Sequence, residues 1–568
     1  MKLVSVELRE YRNLKDFQVL FDSHESTTVL IGGNGTGKSH LLEALVEIFR
    51  DLEARNPSSF QYVVRYTCRG HDVVIDCEPS RASGKIKARV DGKPLTWKKL
   101  QANLDEYLPS YVFAYYSGWS SRLERHFDEP TRRHYTAIMG SSRGELPLRR
   151  MFFCRQEYSQ LVLLAFFLAP REIAETVLRK YLEIESFDSA LFVLKKPWWG
   201  ARSKPSRAQL ADGDPRYWYA RGAFRSFLDR LWGAALAPIR ATENIARDVR
   251  RNPEPTERQF LYVKDLAALA LLKDEADAPK TVFGYLESLF LCDLMDEVRV
   301  TVKRRDGSRV KFSQMSEGEQ QLLTVLGLML FTRNDESLYL LDEPDTHLNP
   351  VWTYEYLSLL QDSIKADKGH LLVATHNPLM VGGLVREQVR RFSREQVQDL
   401  PSPSEGTEEQ LEIFAEDAER EPRDLVETSV DLDRPSVVKT KSVAFEPDYD
   451  PIGLGIEGLL KSELYGLRST LAPEVLELLD EQYRLLGEKE STAQQRDRLR
   501  EVSAELHRMA IIHTFPNPYF SAFAAALARR QPAPNTRLTQ AALIEQARLS
   551  DEILDELLSE DEASDNRA

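Results

Sequence analysis

At 568 residues the chain exceeds the roughly 250–300 at which a single hydrophobic core stops growing, so it divides into at least two lobes. Its composition, 42% hydrophobic, 29% charged and 9% aromatic, is that of a globular protein and excludes a mostly disordered or fibrous chain. A net charge of −14 excludes a surface that coats nucleic acid throughout, but the charge is uneven: fourteen Lys and Arg face seven Asp and Glu between Lys195 and Arg258, and three cations face thirteen acids between Gln396 and Pro435.

Met1-Lys2-Leu3-Val4-Ser5-Val6 runs straight into a strand pattern without the apolar stretch and cleavage site of a secretion signal, which points to the cytoplasm. Leu3–Leu8 and Phe17–Phe21 alternate with period two. Thr27–Ile31 is a β-branched run ending in glycines, and a helical pattern then places Leu41, Leu42, Leu45, Val46 and Ile48 on one side. Strands resume at Phe60–Tyr66, Val73–Cys77 and Ile86–Val90, with a turn at Asp91-Gly92, and again at Tyr111–Tyr116. Leu148 to Leu294 reads as largely helical with a break at Lys196–Gly200. Its longest apolar stretch, Leu161–Pro170, falls far short of the ~20 residues of a membrane span. Cys68, Cys77, Cys154 and Cys292 form no CxxC pair and read as buried thiols.

Val298–Lys303 and Val310–Phe312 form a hairpin around Asp306-Gly307, and strand–helix alternation returns from Met315 to Phe392. Prolines among acids mark 396–450 as a linker. Asp431 and Asp433 there read as a solvated loop, not a metal site. Leu459–Arg508 is helical, and an amphipathic helix carrying Ile544, Leu549, Ile553 and Leu557 precedes the acidic end.

Four motifs carry the chemistry. Gly32-Gly33-Asn34-Gly35-Thr36-Gly37-Lys38-Ser39 is a GxxxxGK[ST] loop between a strand and a helix. Its glycines let backbone N–H groups close around a phosphate, and the helix N-terminus adds its dipole. Lys38 then reaches the β- and γ-phosphates and Ser39 holds Mg²⁺. Leu338–Pro344 is an apolar strand ending in Asp342, placed for the Mg²⁺ shell, and Glu343, placed to deprotonate a water. Ser316-Glu317-Gly318-Glu319 opens an apolar helix. Ser316 and Glu319 fit a capping box, and a capped helix start is also an anion site. Leu371–Ala374 is a buried strand that delivers His376 to its end, where it could donate to the γ-phosphate.

In chain order (phosphate loop, Ser316, acidic strand, strand-end histidine) the motifs resemble the ABC-type ATPase heads of the SMC, RecF and overcoming-lysogenization-defect families, within the AAA grouping. Tyr11-Arg12-Asn13-Leu14 is similar to the aromatic-basic element of their first strand, Ser316–Glu319 to their signature, and Asp345 to Pro350, with His347, to their D-loop. The resemblance implies an α/β ABC-type P-loop head with a mixed sheet, ATP and Mg²⁺ as cofactors, and a homodimer or higher oligomer. Arg12 and Asn13 would flank the nucleotide, and Ser316 would act on the partner's. The family's glutamine loop has no glutamine at Tyr115-Tyr116-Ser117-Gly118, and Gln156 and Gln160 both remain candidates.

The head halves then fall at 1–120 and 298–395, split by a mainly helical insertion with a basic loop (121–297). An acidic linker (396–450), a helical C-terminal module (451–531) and a tail with an amphipathic helix (532–568) follow. Tyr111–Leu123 and Gly453–Leu467 resemble the defence-associated Septu ATPases of the PtuA type, some of which accompany retrons. That likeness implies a role in defence against phage, with an HNH-type nuclease partner that does the cutting and, for a retron, a reverse transcriptase and its non-coding RNA or DNA. A RecF/SMC-like repair ATPase, an OLD-like ATPase with its own nuclease and a transporter subunit are the alternatives. For nucleic acid, the basic loop offers Lys195, Lys196, Trp198, Arg202, Lys204 and Arg207, with Arg122, Arg125, Arg132 and Arg133 as a second patch. No membrane association is expected.

Overall fold

A computed structural model describes residues 1–118, 120–140, 149–168, 172–197, 213–221, 225–245, 253–273, 279–333, 335–364, 368–396, 440–487 and 492–509, with scattered positions (207, 210, 526, 530 and parts of 545–554) besides. Strands are numbered in chain order. β1 (Lys2–Tyr11), β2 (Leu14–Leu20), β4 (Tyr62–Cys68), β5 (His71–Cys77), β6 (Ile86–Val90) and β7 (Lys93–Leu95) form an antiparallel sheet of order β2-β1-β4-β5-β6-β7. The β6–β7 turn takes Asp91 and Gly92 to positive φ, as a tight two-residue hairpin requires.

The second sheet positions the site. β3 (Thr27–Gly32), β8 (Tyr111–Tyr116), β9 (Met151–Phe153), β15 (Ser337–Asp342), β16 (Gly369–Ala374), β17 (Val389–Gln396) and β18 (Thr440–Phe445) run in the order β18-β17-β3-β16-β15-β8-β9. All but β18 are parallel, so their C-terminal ends share one edge. Leu30, Ala374, Asp342 and Tyr116 stand in one row across β3, β16, β15 and β8. Alternation with period two divides this sheet's side chains between two cores. Leu30, Val112, Ala114, Leu340 and Leu372 pack towards helix α1 (Lys38–Glu53) and the first sheet. Val29, Phe113, Leu341 and Val373 pack towards the helix Glu317–Thr332 and the inserted lobe.

The insertion holds, beside its helices, a sheet that the helical expectation did not include. Within it, β10 (Ile184–Lys195), β11 (Ile239–Ile245) and β12 (Glu254–Val263) join β13 (Met295–Arg304) and β14 (Arg309–Lys311) in an antiparallel sheet of order β11-β12-β10-β13-β14. The Leu191–Leu194 run of β10 has no period that separates strand from helix. β11 is mostly exposed and so shows no alternation at all. The linker expectation needs a second correction. Its end, β18, is the edge strand of the head sheet, paired with β17, while Asp431 and Asp433 lie outside the described residues.

In the C-terminal module the helices Gly455–Lys461, Pro473–Gly487 and Ala493–Arg508 are described, and Leu459 and Leu464 pack into the head's core. Most of the tail, including Ile544 and Leu557, lies outside the described residues, while Leu549 is half-buried and Ile553 buried. The four cysteines are buried free thiols. Among the described residues no helix is long and apolar enough to cross a membrane.

Candidate active site

The phosphate loop bridges the end of β3 and the start of α1. Gly32, Gly35 and Gly37 hold positive φ, and a Cβ would meet the Phe392 carbonyl oxygen at 2.3 Å from Gly32 and the Leu14 side chain at 2.4 Å from Gly37. Gly32 is fixed by backbone approach as much as by loop curvature, whereas Gly37 faces side chains of the β1–β2 turn. Gly33, Asn34 and Gly35 are exposed and line the open rim. Thr36 Oγ1 donates to Gly33 O (2.8 Å), tying the loop to itself. Lys38 Nζ donates to Gly32 O (2.7 Å) and Gly33 O (3.3 Å), which places the ammonium inside the loop. Burial lowers its pKa, opposed by the charges of Glu343 and Asp342.

The β1–β2 turn leans on this loop. Asn13 Nδ2 donates to Gly35 O (2.9 Å), and Asn13 Oδ1 meets His40 Nδ1. Arg12, itself at positive φ, pairs with Glu43 of α1. Arg394 of β17 also donates to Gly35 O (2.6 Å), a contact no motif announced.

Asp342 ends β15 beside the loop. Ser39 hydrogen-bonds to it, and its Oδ1 is buried without a hydrogen-bond partner among the described residues. Burial pushes its pKa up to about 6, against the lowering effect of Ser39. An orphaned carboxylate oxygen facing a serine hydroxyl fits a Mg²⁺ ion, which binds through one or two protein groups together with substrate phosphates. Among the described residues no group of three or more His, Cys, Asp or Glu side chains is placed to hold a metal ion.

Glu343, one residue on, sits at φ +51, a left-handed conformation that costs a non-glycine residue about 1–3 kcal/mol. Its N–H donates to Ala374 O (2.8 Å), locking the turn to the neighbouring strand. The carboxylate lies 2.6 Å from His376 Nδ1, so the strand-end acid and histidine meet across the β15–β16 boundary. Burial raises the Glu343 pKa, and His376 works against it. The carboxylate is 22% exposed and His376 63%, so the pair is open to water and phosphate.

Ser316 caps the helix Glu317–Thr332 in a full capping box: its Oγ accepts from Glu319 N (3.2 Å) while Glu319 Oε2 accepts from Ser316 N (2.7 Å). Arg304 of β13 holds the other oxygen of Glu319 (2.7 Å), so the inserted sheet supports the helix tip. The segment after Glu343 packs against this tip. A Cβ on Gly318 would lie 2.4 Å from His347 O, Gln321 donates to Pro344 O, and His347 Nδ1 lies 3.3 Å from Glu317. Asp345 turns inward to accept from Thr375 Oγ1 (3.0 Å). Ser316 and Glu317 remain exposed.

A cleft of about 440 Å³ separates Ser117 and Gly118, at the end of β8, from Glu317 and Gln321. Gln156 lines this cleft, whereas Gln160 is turned to the inserted sheet, accepting from Val300 N (3.1 Å).

The basic candidates are not gathered in this way. Lys195 lies against Asp293 (2.7 Å) and Asp296 (3.2 Å), and Lys196 against Glu257 (3.7 Å). Arg207 is exposed, and Trp198, Arg202 and Lys204 lie outside the described residues. Arg125 and Arg132 are exposed and Arg133 pairs with Glu53 and Glu129, but Arg122 turns to α1, where its Nε lies 3.1 Å from Glu43 Oε2. Glu43, His40 and Arg394 are site residues that sequence reasoning missed. The one available signal was a glutamate one turn after Ser39 in an otherwise apolar helix face.

Comparison with known proteins gives two family matches: residues 1–103 match the "AAA ATPase domain" model, and residues 187–382 the model described as "AAA domain, putative AbiEii toxin, Type IV TA system". Among curated proteins, Septu protein PtuA of Bacillus mycoides is 25% identical over 240 residues, 40% of this chain and 28% of that protein. The DNA replication and repair protein RecF of a Synechococcus species is 33% identical over 108 residues, 17% of this chain and 27% of that protein. The matches thus span little more than a quarter of these relatives. Among solved structures, the SMC head domain from Thermotoga maritima covers 69% of this chain and 95% of its own length, with 12% identity and a TM-score of 0.28. Phosphate loop, acidic strand and histidine are gathered on the edge of one parallel sheet, and the stretch that holds the phosphate loop (1–103) and the stretch that holds Asp342, Glu343 and His376 (187–382) are each similar to AAA ATPase domains.

Proposed function

We propose that this chain is a Mg²⁺-dependent ATPase whose nucleotide site is completed by a second copy, and that ATP-driven closure of the pair governs a separate nuclease in defence against phage. The carrying observation is the pre-capped helix tip whose Ser316 and Glu317 are exposed, braced at the buried Gly318 by its own D-loop and at Glu319 by Arg304. Such a tip presents backbone donors and a dipole to an anion. ATP bound at one copy's phosphate loop supplies that anion for the other copy's tip.

In this reading Lys38 and the loop N–H groups bind the β- and γ-phosphates, and Ser39 and Asp342 would hold Mg²⁺, which neutralises phosphate charge when bound. Glu343 orients the attacking water and accepts its proton. His376, 2.6 Å from that carboxylate, keeps it oriented and offers its other face to the terminal phosphate. The sequence likeness to Septu PtuA supports the defence role and a nuclease partner, the HNH-type class being the one that likeness implies.

The test reconstitutes the chain with an HNH nuclease encoded beside it. DNA cleavage that requires the complex and changes with ATP or with Glu343→Gln is expected. Cleavage by the purified chain alone with Mg²⁺ would instead support the OLD-like reading. ATP-dependent DNA-junction binding without any nuclease would support the RecF-like one, which the RecF match favours.

A further inference from the structure

The segment that leaves β8 next to Asp342 is not used by the reading above. Ser117 N donates to Asp342 O (3.3 Å), and Ser117 Oγ lies 2.9 Å from Thr346 Oγ1, so the segment starts in contact with the acidic strand. It then crosses to the first two turns of α1. Arg122 Nε lies 3.1 Å from Glu43 Oε2, Arg122 Nη1 lies 3.2 Å from His40 Nε2, and His126 Nε2 lies 3.0 Å from Glu43 Oε1. Glu43 is 1% exposed in its side chain and is shared with Arg12. One carboxylate therefore faces two guanidiniums, neither of which has a second acidic partner among the described residues.

Burial alone would raise the Glu43 pKa, but His126, Arg122 and Arg12 bring it below the usual carboxylate range, so the group is firmly anionic. His40 is held neutral by burial and by the same two arginines, and adds no charge. The result is a surplus of positive charge one residue beyond Ser39. The side chain of Arg122 is 38% exposed, its contacts to α1 run through Nε and Nη1, and its charge acts on Asp342.

We propose that Arg122 is a phosphate-binding residue, a second cation from the same chain that, with Lys38, holds the polyphosphate of bound ATP. Two cations approaching from different loops suit a polyanion better than one, and a planar, partly exposed guanidinium suits phosphate oxygens. Glu43 orients the guanidinium and keeps it from folding away. This inference rests on the ATPase reading and adds to it a residue that the phosphate-loop pattern does not contain.

The experiment measures ATP affinity of the full-length chain by equilibrium binding of a fluorescent ATP analogue with unlabelled ATP as competitor. Arg122→Ala is expected to weaken ATP binding about tenfold or more, the scale of one charge-assisted contact, with Arg122→Lys recovering part of the loss. His126→Gln cuts another link between the same segment and Glu43 without removing that charge, and is expected to leave affinity near wild type. Unchanged affinity in Arg122→Ala, or an equal loss in His126→Gln, would overturn the proposal, the latter because seating of the segment would then account for the effect. Absence of ATP binding by the wild-type chain, or full binding by Lys38→Ala, would instead count against the ATPase reading itself.

Discussion

At the scale of single residues, the site stores its function in positions where an ordinary side chain would not fit or would not stay. Glu343 occupies a left-handed backbone conformation that only the surrounding strands can enforce, with its N–H bound to Ala374 and its carboxylate 2.6 Å from His376. Removing the basic oxygen without changing shape isolates its chemistry. Glu343→Gln is expected to bind ATP as wild type does and to lower turnover by about 10²–10⁴-fold, the range of a general base, in a steady-state phosphate-release assay. Turnover within a factor of two of wild type would remove Glu343 from the proton transfer.

Gly318 poses the opposite question, because alanine there improves intrinsic helix propensity by about 1 kcal/mol. The added Cβ would nevertheless stand 2.4 Å from His347 O, a backbone atom that cannot rotate aside. The contact outweighs the propensity, and the helix tip and D-loop must separate. Gly318→Ala should keep ATP affinity, since the phosphate loop is untouched, while turnover falls by about 10²-fold, as for other ångström-scale misplacements. A loss of affinity without a loss of turnover would show that the tip does not serve the reaction.

At the scale of elements, the first sheet is fastened to the nucleotide sheet through a buried histidine. His370, at 0% exposure on β16, accepts from Leu3 N of β1 through Nδ1 (2.9 Å) and meets Thr28 Oγ1 of β3 through Nε2 (3.1 Å). Burial first, then the positive charges of Lys2, the chain's amino terminus and Arg390, depress its pKa to about 3. Above pH 6.5 both folded and unfolded chains hold this ring neutral and the stabilisation is complete. Below it the unfolded chain takes up a proton that the folded chain refuses, so stability drops as pH falls towards 3, with a limiting slope of about 1.4 kcal/mol per pH unit. Urea unfolding at pH 7.5 and 5.5 should show a wild-type loss about 1 kcal/mol larger than that of His370→Gln. Equal losses in the two proteins would mean that this ring does not refuse the proton.

The same elements show what a sequence can carry. The phosphate loop, the strand-end carboxylates and the capping box were legible because each is encoded within eight consecutive residues and needs no distant partner. His376 was legible as a strand-end histidine, but its meeting with Glu343 depends on the parallel β15–β16 register. The inserted sheet was misread as helix. β11 is exposed and loses its alternation, Phe192–Leu194 of β10 are buried on both faces, and β10 is held by a ladder to β13 that joins residues about a hundred positions apart. Arg122 was read as part of a surface patch because nothing local announces that Glu43, about eighty residues earlier, captures it.

At the scale of the whole molecule, each chain carries a phosphate loop and a signature tip, and the proposed function makes each useful only to a partner's. Such reciprocity has a specific consequence for mixtures. A Lys38→Ala chain has no working loop but an intact tip, whereas a Ser316→Arg chain has an intact loop and a tip that a bulky cation blocks. Homodimers of either variant contain no complete site. A mixed dimer contains one complete site, formed by the loop of the second variant and the tip of the first, and one doubly damaged site. Random pairing of equal amounts makes about half the dimers mixed, so phosphate release should reach about a quarter of the wild-type rate if the two sites of a dimer turn over independently. Cooperation between sites would lower that figure without abolishing the gain over either variant alone. A mixture no more active than its components, under conditions where subunits are shown to exchange, would mean that each chain hydrolyses ATP with its own signature or with none. The trans arrangement would then fall, while the phosphate loop and the Glu343–His376 pair would stand.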